Sequence, residues 1–273
     1  MAYVTSDGCR LYYEVKGEGP SVVFAHESAA DTRQWRGQVD ALSARYRCIV
    51  YNARGYSPSD VPAEDAAYGY VQAWRDLAAV VEAVAGGPAH IVGLSMGAYA
   101  ALMLGFRRPD LVRSLMLAGC GSGSSRKPGG AMQGRMEALA RVFLDQGSAA
   151  GAQTIAAASN RTGFRRRDPA GWQTWYDDLC GHSAEGMALT YRNYQGARPS
   201  LYDFEDELKR LERPVLLAVG DEDPPCLEVN LFLKQILPDA ALWMVPHCGH
   251  AVNLEAPDAF NRALEALFAR AGA

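Results

Sequence analysis

Three stretches of the chain hold residue types that together could carry out nucleophilic catalysis. "HIVGLSMGAYAA", residues 90 to 101, sets Ser95 between Gly93 and Gly97 where an apolar run gives way to a helix of small residues. "LLAVGDEDPPC" crowds Asp221, Glu222 and Asp223 behind another apolar run, and "VPHCGHAVNLEAP" places His247 and His250 before the last helical segment. A hydroxyl is a weak nucleophile until a base takes its proton, and the base works best when an acid orients it. Taken singly, each feature has a plain explanation: a close-packed strand-to-helix joint, a solvated acid cluster, a surface histidine. Their joint arrangement is more informative. A serine, then an acid, then a histidine each follow the C-terminal end of a strand, and such loops gather along one edge of a parallel sheet. At this level the choice among the three acids and between the two histidines stays open.

The elements that must position these groups are readable from their periodicity. "RLYYEVKG" alternates like a strand, and "SVVFAH", "CIVYNARG", "AHIVGL" and "VRSLMLAGC" are short continuous apolar runs of buried strands. "TRQWRGQVDALSAR", "YVQAWRDLAAVVEAV" and "MGAYAALMLGFRR" have helical spacing, the second stopped by Gly86, Gly87 and Pro88. Strand and helix alternate, which calls for a mostly parallel sheet covered on both faces. The rhythm breaks at "GCGSGSSRKPGG", residues 119 to 130. It resumes after about Glu207 with "PVLLAVG", "LEVNLFLKQIL", "ALWMVP" and "PDAFNRALEALFAR". The expectation is one α/β core domain, 1–121 with 208–273, and a helical insertion over 122–207 acting as a lid above the sheet's C-terminal edge.

Composition narrows the class. The net charge of −4 gives no sign of a nucleic-acid-binding surface. No apolar run approaches the roughly 18 residues of a membrane span, and the N-terminus lacks a secretory layout. The six cysteines show no C-x-x-C pairing or metal-ligand rhythm, so they read as reduced thiols of a cytoplasmic protein, with no metal or cofactor expected. A homo-oligomer is left open.

With these motifs in hand, the chain resembles the α/β-hydrolase superfamily over essentially its whole length. The resemblance rests on the elbow "GLSMG", the "GDED" turn, the terminal "CGH" and the order Ser…Asp…His. It implies a doubly wound, mostly parallel sheet with a helical lid after the sixth strand. It also implies Ser95 as nucleophile, Asp223 (fourth in G-x-x-D from Gly220) as acid and His250 as base. The oxyanion donors it implies are the backbone N–H groups of Met96 and, from the loop "FAHESAADTRQW", Ser28. That loop departs from the pattern: His26-Glu27-Ser28 stands where His-Gly is usual, and Glu27 is expected to turn its carboxylate away from a developing oxyanion. "NARGYSPSD" departs as well, with Asn52 and Ser57 in place of an aspartate and a glycine.

The activity implied is cleavage of a small-molecule carboxylic ester through an acyl-enzyme. Carbon–carbon hydrolysis, lactone opening and perhydrolysis are alternatives on the same residues, and a small-molecule receptor is an alternative of another class. Serine at position 95 excludes an aspartate nucleophile. Glu27, Trp172, Trp175 and Tyr191 are candidates to line the substrate pocket. Arg161 and the "RRR" at 165 to 167 read as a solvated run, because residues 122–207 balance ten basic residues with ten acidic ones.

Overall fold

The computed structural model describes residues 1–126 and 131–272. Residues 127–130, the end of the glycine- and serine-rich break and part of the expected lid, lie outside the described residues, as does Ala273. The order is β1 (Ala2–Ser6), β2 (Cys9–Lys16), β3 (Ser21–Ala25), α1 (Arg36–Leu42), β4 (Arg47–Tyr51), α2 (Tyr70–Val80), β5 (Ala89–Leu94), α3 (Met96–Arg107) and β6 (Val112–Ala118). Then come α4 (Ala131–Gln146), α5 (Ser148–Ala156), α6 (Ser159–Arg167), α7 (Pro169–Cys180), α8 (Ala184–Leu189) and α9 (Glu205–Lys209). The chain returns to the sheet with β7 (Val215–Gly220), α10 (Pro224–Ile236), β8 (Ala240–Val245), α11 (Val252–Glu255) and α12 (Pro257–Ala271).

The strands form one sheet in the order β1-β2-β4-β3-β5-β6-β7-β8. β1, β2 and β4 pair antiparallel; from β4 to β8 every pairing is parallel, with Val23 opposite Ile49 and Ile91, and Leu117 opposite Leu217. β1 was not expected from the sequence. "AYVTS" is a short, largely exposed edge strand, so burial left no continuous apolar run to read.

Alternation along the central strands sorts side chains to two cores. Val23, Ile91, Leu115 and Leu117 face Leu77 and Val80 of α2, the small buried residues of α3, and Phe232 and Leu233 of α10. Val22, Phe24, Val92 and Met116 face Leu42 of α1 and Phe260, Leu264, Leu267 and Phe268 of α12. Those four α12 residues follow i, i+4, i+7, i+8 spacing and are buried, each worth about 1.5–3 kcal/mol of apolar transfer. Helices therefore cover both faces of the sheet, and the carboxyl ends of β3, β5, β7 and β8 open at one edge. α4 through α9 fill the chain between β6 and β7. Among the described residues, no helix is long and apolar enough to cross a membrane.

Candidate active site

Ser95 occupies the turn between β5 and α3 with φ 54° and ψ −106°, a left-handed conformation that costs a non-glycine residue on the order of 1–3 kcal/mol. The turn is held by Ser95 N donating to Ala118 O at 2.8 Å and by Tyr99 N donating to Ser95 O at 3.0 Å. The flanking glycines permit close backbone approach. A Cβ on Gly93 would lie 2.5 Å from Ala98 N, and one on Gly97 would lie 2.5 Å from the carbonyl carbon of Ala25. Strand, helix and the loop after β3 meet here without room for a methyl group.

Asp223 sits at the N-terminus of α10. Helix-capping aspartates usually bind the second or third N–H of the helix. Here the second position is Pro225, which has none, and Cys226 N donates to the Asp223 backbone carbonyl at 3.0 Å. The carboxylate is thereby left for other donors. His250 Nδ1 lies 2.7 Å from Asp223 Oδ2, and Asn160 Nδ2 donates to Oδ1 at 2.8 Å. Asp221 is exposed and its Oδ1 accepts from Cys248 N, while Glu222 pairs with Arg167. Of the three acids, only Asp223 reaches the imidazole. Burial alone would raise the Asp223 carboxyl, yet the charge of His250 and the hydrogen bonds from His250 and Asn160 hold it well below the usual carboxylate range. For His250, burial presses the imidazolium down, but the charge and hydrogen bond of Asp223 outweigh it, so the net shift is upward.

Ser95 and His250 line one cavity of about 410 Å³, together with Glu27, Ser28, Asn160, Arg161 and Tyr191. Met132, Met136, Leu139 and Ile155, from α4 and α5, supply apolar wall. Among the described residues, Ser95 Oγ makes no hydrogen bond to His250 in this structure; such contacts often tighten only when substrate is bound. As the first residue of α3, Met96 has an N–H with no partner within the helix. Its carbonyl accepts from Tyr194 Oη at 2.9 Å, and the Ser28 carbonyl accepts from Tyr56 Oη at 2.9 Å. Ser28 Oγ also lies 3.2 Å from Tyr191 Oη. Tyrosines from the helical segment and from the loop after β4 thus pin both residues expected to supply oxyanion donors. His26 anchors the same loop by accepting from Ala53 N at 3.0 Å, with Nδ1 2.7 Å from Glu27 O. Asn52 uses both ends of its amide, accepting from Thr32 N and donating to Ser57 O, which a carboxylate could not do.

Three expectations need correction. Glu27 does not turn away: it is 1% exposed, lines the cavity, and brings Oε2 to 3.9 Å from His250 Nε2. Arg161 is not solvated: it is 3% exposed and pairs with Glu27 through Nη1 to Oε1 at 3.1 Å and Nη2 to Oε2. The guanidinium also lies over the Trp175 ring at 4.8 Å. Finally, Trp172 and Trp175 do not line the Ser95 cavity. Trp172 stacks on Tyr176 at 5.1 Å, and Trp175 faces a separate cavity of about 220 Å³ against Ala30, Arg33 and Phe164. Of the four pocket candidates, the structure brings Glu27 and Tyr191 to the site. Asn160 was missed, since a lone asparagine at a helix start in the insertion gives no sign of facing Asp223.

Asp223, Cys226 and His250 place one potential ligand atom each within 4.8 Å of one another. A thiol binds metal as thiolate, and burial, then the charge of Asp223, pushes the Cys226 thiol well above its ordinary value. Asp223 and His250 already engage each other through Oδ2 and Nδ1.

A model of the Alpha/beta hydrolase family matches residues 22–263. The chain belongs to that family. Its curated relatives in the family include 3-oxoadipate enol-lactonase 2 of Acinetobacter baylyi, 27% identical over 270 residues spanning 98% of this chain and 96% of that one. Another is the pimeloyl (acyl-carrier protein) methyl ester esterase of Nitrosomonas europaea, 26% identical over 264 residues, 94% of this chain and 99% of that one. Among solved structures, a thermophilic esterase from Thermogutta terrifontis matches with a TM-score of 0.88 at 22% identity, covering 100% of this chain and 99% of its own; at that identity the likeness concerns the fold.

Proposed function

We propose that this protein is a serine hydrolase that cleaves a small-molecule carboxylic ester through an acyl-enzyme. His250 Nε2 takes the proton of Ser95 Oγ, and the oxygen attacks the carbonyl carbon. The N–H groups of Met96 and Ser28 hold the oxyanion, aided by the partial positive charge at the start of α3. Asp223 fixes the imidazole tautomer and stabilises its cationic form. Water activated by the same imidazole then releases the acid. The segment 122–207 serves as the lid, its α4 and α5 side chains walling the acyl or alcohol portion. One observation carries this reading: a serine held in a left-handed turn shares a cavity with an imidazole whose far nitrogen lies 2.7 Å from a buried carboxylate. A lactone is a cyclic ester, and the enol-lactonase relative favours it as a second substrate form on the same residues. A panel of esters, lactones and dienoic ketones assayed with Ser95→Ala tests the reading. Turnover should fall by on the order of 10⁶-fold with fold and ligand affinity kept. A variant retaining more than about a hundredth of the parent rate refutes it.

A further inference from the structure

Glu27 stands where the superfamily's pattern has a glycine, and acid–base relay through Ser95, His250 and Asp223 leaves its carboxylate without a task. Burying a carboxylate beside a site where negative charge develops is costly, so its retention calls for a physical reason. Its surroundings are built around it. Oε1 accepts from Arg161 Nη1 at 3.1 Å and from Gln34 Nε2 at 3.2 Å, whereas Oε2 accepts from Arg161 Nη2. A carboxylate oxygen offers two lone-pair directions, so Oε2 keeps one in hand. That is the oxygen 3.9 Å from His250 Nε2. A water about 2.8 Å from both atoms would subtend an angle of about 90° at its oxygen, close to its own H–O–H angle. One molecule can therefore donate one O–H to Nε2 and the other to Oε2, leaving its lone pairs free for the cavity that Ser95 lines.

We infer that Glu27 is a further catalytic residue, which orients the water that hydrolyses the acyl-enzyme. The inference rests on Ser95 carrying the acyl group. The water oxygen bonds to the acyl carbon as its first proton passes to His250 Nε2. The tetrahedral intermediate then expels Ser95 Oγ, which takes that proton back, and the second proton leaves with the product acid after being held by Glu27 Oε2. Arg161 keeps the carboxylate from repelling the oxyanion. Of the groups around the imidazole, Asp223 and Glu27 favour its cationic form and Arg161 opposes it, while Asn160 and the Cys226 thiol complete the ring. An alcohol has only one O–H and cannot satisfy Nε2 and Oε2 together, so this arrangement favours hydrolysis over acyl transfer.

The test follows p-nitrophenyl butyrate by stopped flow and by intact-mass analysis of quenched enzyme, with methanol as a competing acceptor. It compares the parent protein, Glu27→Gln, and the double variant Glu27→Met with Arg161→Met, which removes both buried charges together. In the variants the p-nitrophenol burst should persist while steady-state release slows by on the order of 10- to 100-fold, the worth of one hydrogen bond to a charged group. Acyl-Ser95 should accumulate, and the methyl-ester share of product should rise. An acyl-enzyme lifetime unchanged in the variants, equal slowing of both half-reactions, or parent enzyme that partitions between water and methanol by mole ratio overturns the inference. A Ser95→Ala protein that still releases p-nitrophenol at more than about a hundredth of the parent rate instead overturns the serine-hydrolase reading itself.

Discussion

The close approach at Gly97 gives a test in which a single methyl group separates architecture from chemistry. In Gly97→Ala the new Cβ would lie 2.5 Å from the carbonyl carbon of Ala25 and 2.8 Å from the carbonyl oxygen of His26. Ordinary carbon–carbon contact is about 3.5–4.0 Å, so α3 and the loop after β3 must part by roughly 1 Å. Both neighbours are backbone, and no rotamer change can absorb the strain. The cost falls in the overpacking range of about 1–3 kcal/mol, which a chain of this size should survive folded. The displaced segment leads directly through Glu27 to Ser28, so the geometry between Ser95 and its proposed oxyanion donors shifts by a similar amount. Misplacement of about 1 Å among reacting groups costs on the order of 100-fold. The assay is kcat/KM on a short-chain ester beside urea unfolding, with Gly134→Ala as control, because a Cβ there meets nothing within 4 Å. Gly97→Ala should lose about 100-fold in kcat/KM yet unfold cooperatively, and the control should keep its rate. A Gly97→Ala protein with parental kcat/KM would falsify the claim that this contact sets the oxyanion geometry.

Other outcomes follow from the same structure. His250 must be neutral to act as the proposed base and its pKa is raised, so kcat/KM should climb with pH through an inflection above the ordinary imidazole value of about 6.5. Asp223→Asn should lower that inflection and cost on the order of 10⁴-fold in kcat, and an inflection that stays put refutes the assignment. Asn160→Ala removes one of the hydrogen bonds that hold Asp223 well below the usual range; kcat should fall about 10-fold, with the fold intact by circular dichroism, the loss expected for one hydrogen bond to a charged group. Trp172→Ala should lower stability by about 3–5 kcal/mol in urea titration, because a buried ring stacked on Tyr176 is lost, while KM for a short ester stays unchanged. A large KM change would return Trp172 to the pocket.

The sheet was legible wherever burial wrote a continuous apolar run. β3, β5, β6 and β7 are each covered on both faces, so "SVVFAH" or "AHIVGL" has no other plausible home. β1 escaped because an exposed edge strand need not be apolar. The ends of β5, β7 and β8 could be read too, since glycine and proline mark them, and the prolines after Asp223 now have a reason: they deny that carboxylate a helix N–H. The stretch from 122 to 207 was legible only as helices. Which of their faces meet the cavity depends on how the segment lies on the sheet. The large aromatic Trp172 went to packing against Trp175 and Tyr176, Trp175 backs Arg161, and Asn160, Arg161 and Tyr191 went to the cavity.

Glu27 shows most plainly where local reasoning stops. A lone carboxylate beside a developing oxyanion should turn to solvent, and the loop sequence by itself gives no reason for it to stay. The partner that reverses the sign is Arg161, 134 residues further along the chain on α6. Its own stretch reads as a solvated basic run, and only its distance from Glu27 in space makes it a counter-ion. Each charge is intolerable buried alone, and as a pair they become affordable once Gln34 and the Trp175 face complete the shell. The glycine-to-glutamate departure was therefore visible in the sequence from the start. What it does depends on a pairing that a local reading cannot supply, and the same pairing ties the insertion to the loop that holds Ser28. Substitutions on α6 should accordingly reach the chemistry through two routes, Asn160 to Asp223 and Arg161 to Glu27, although α6 contributes neither nucleophile nor base.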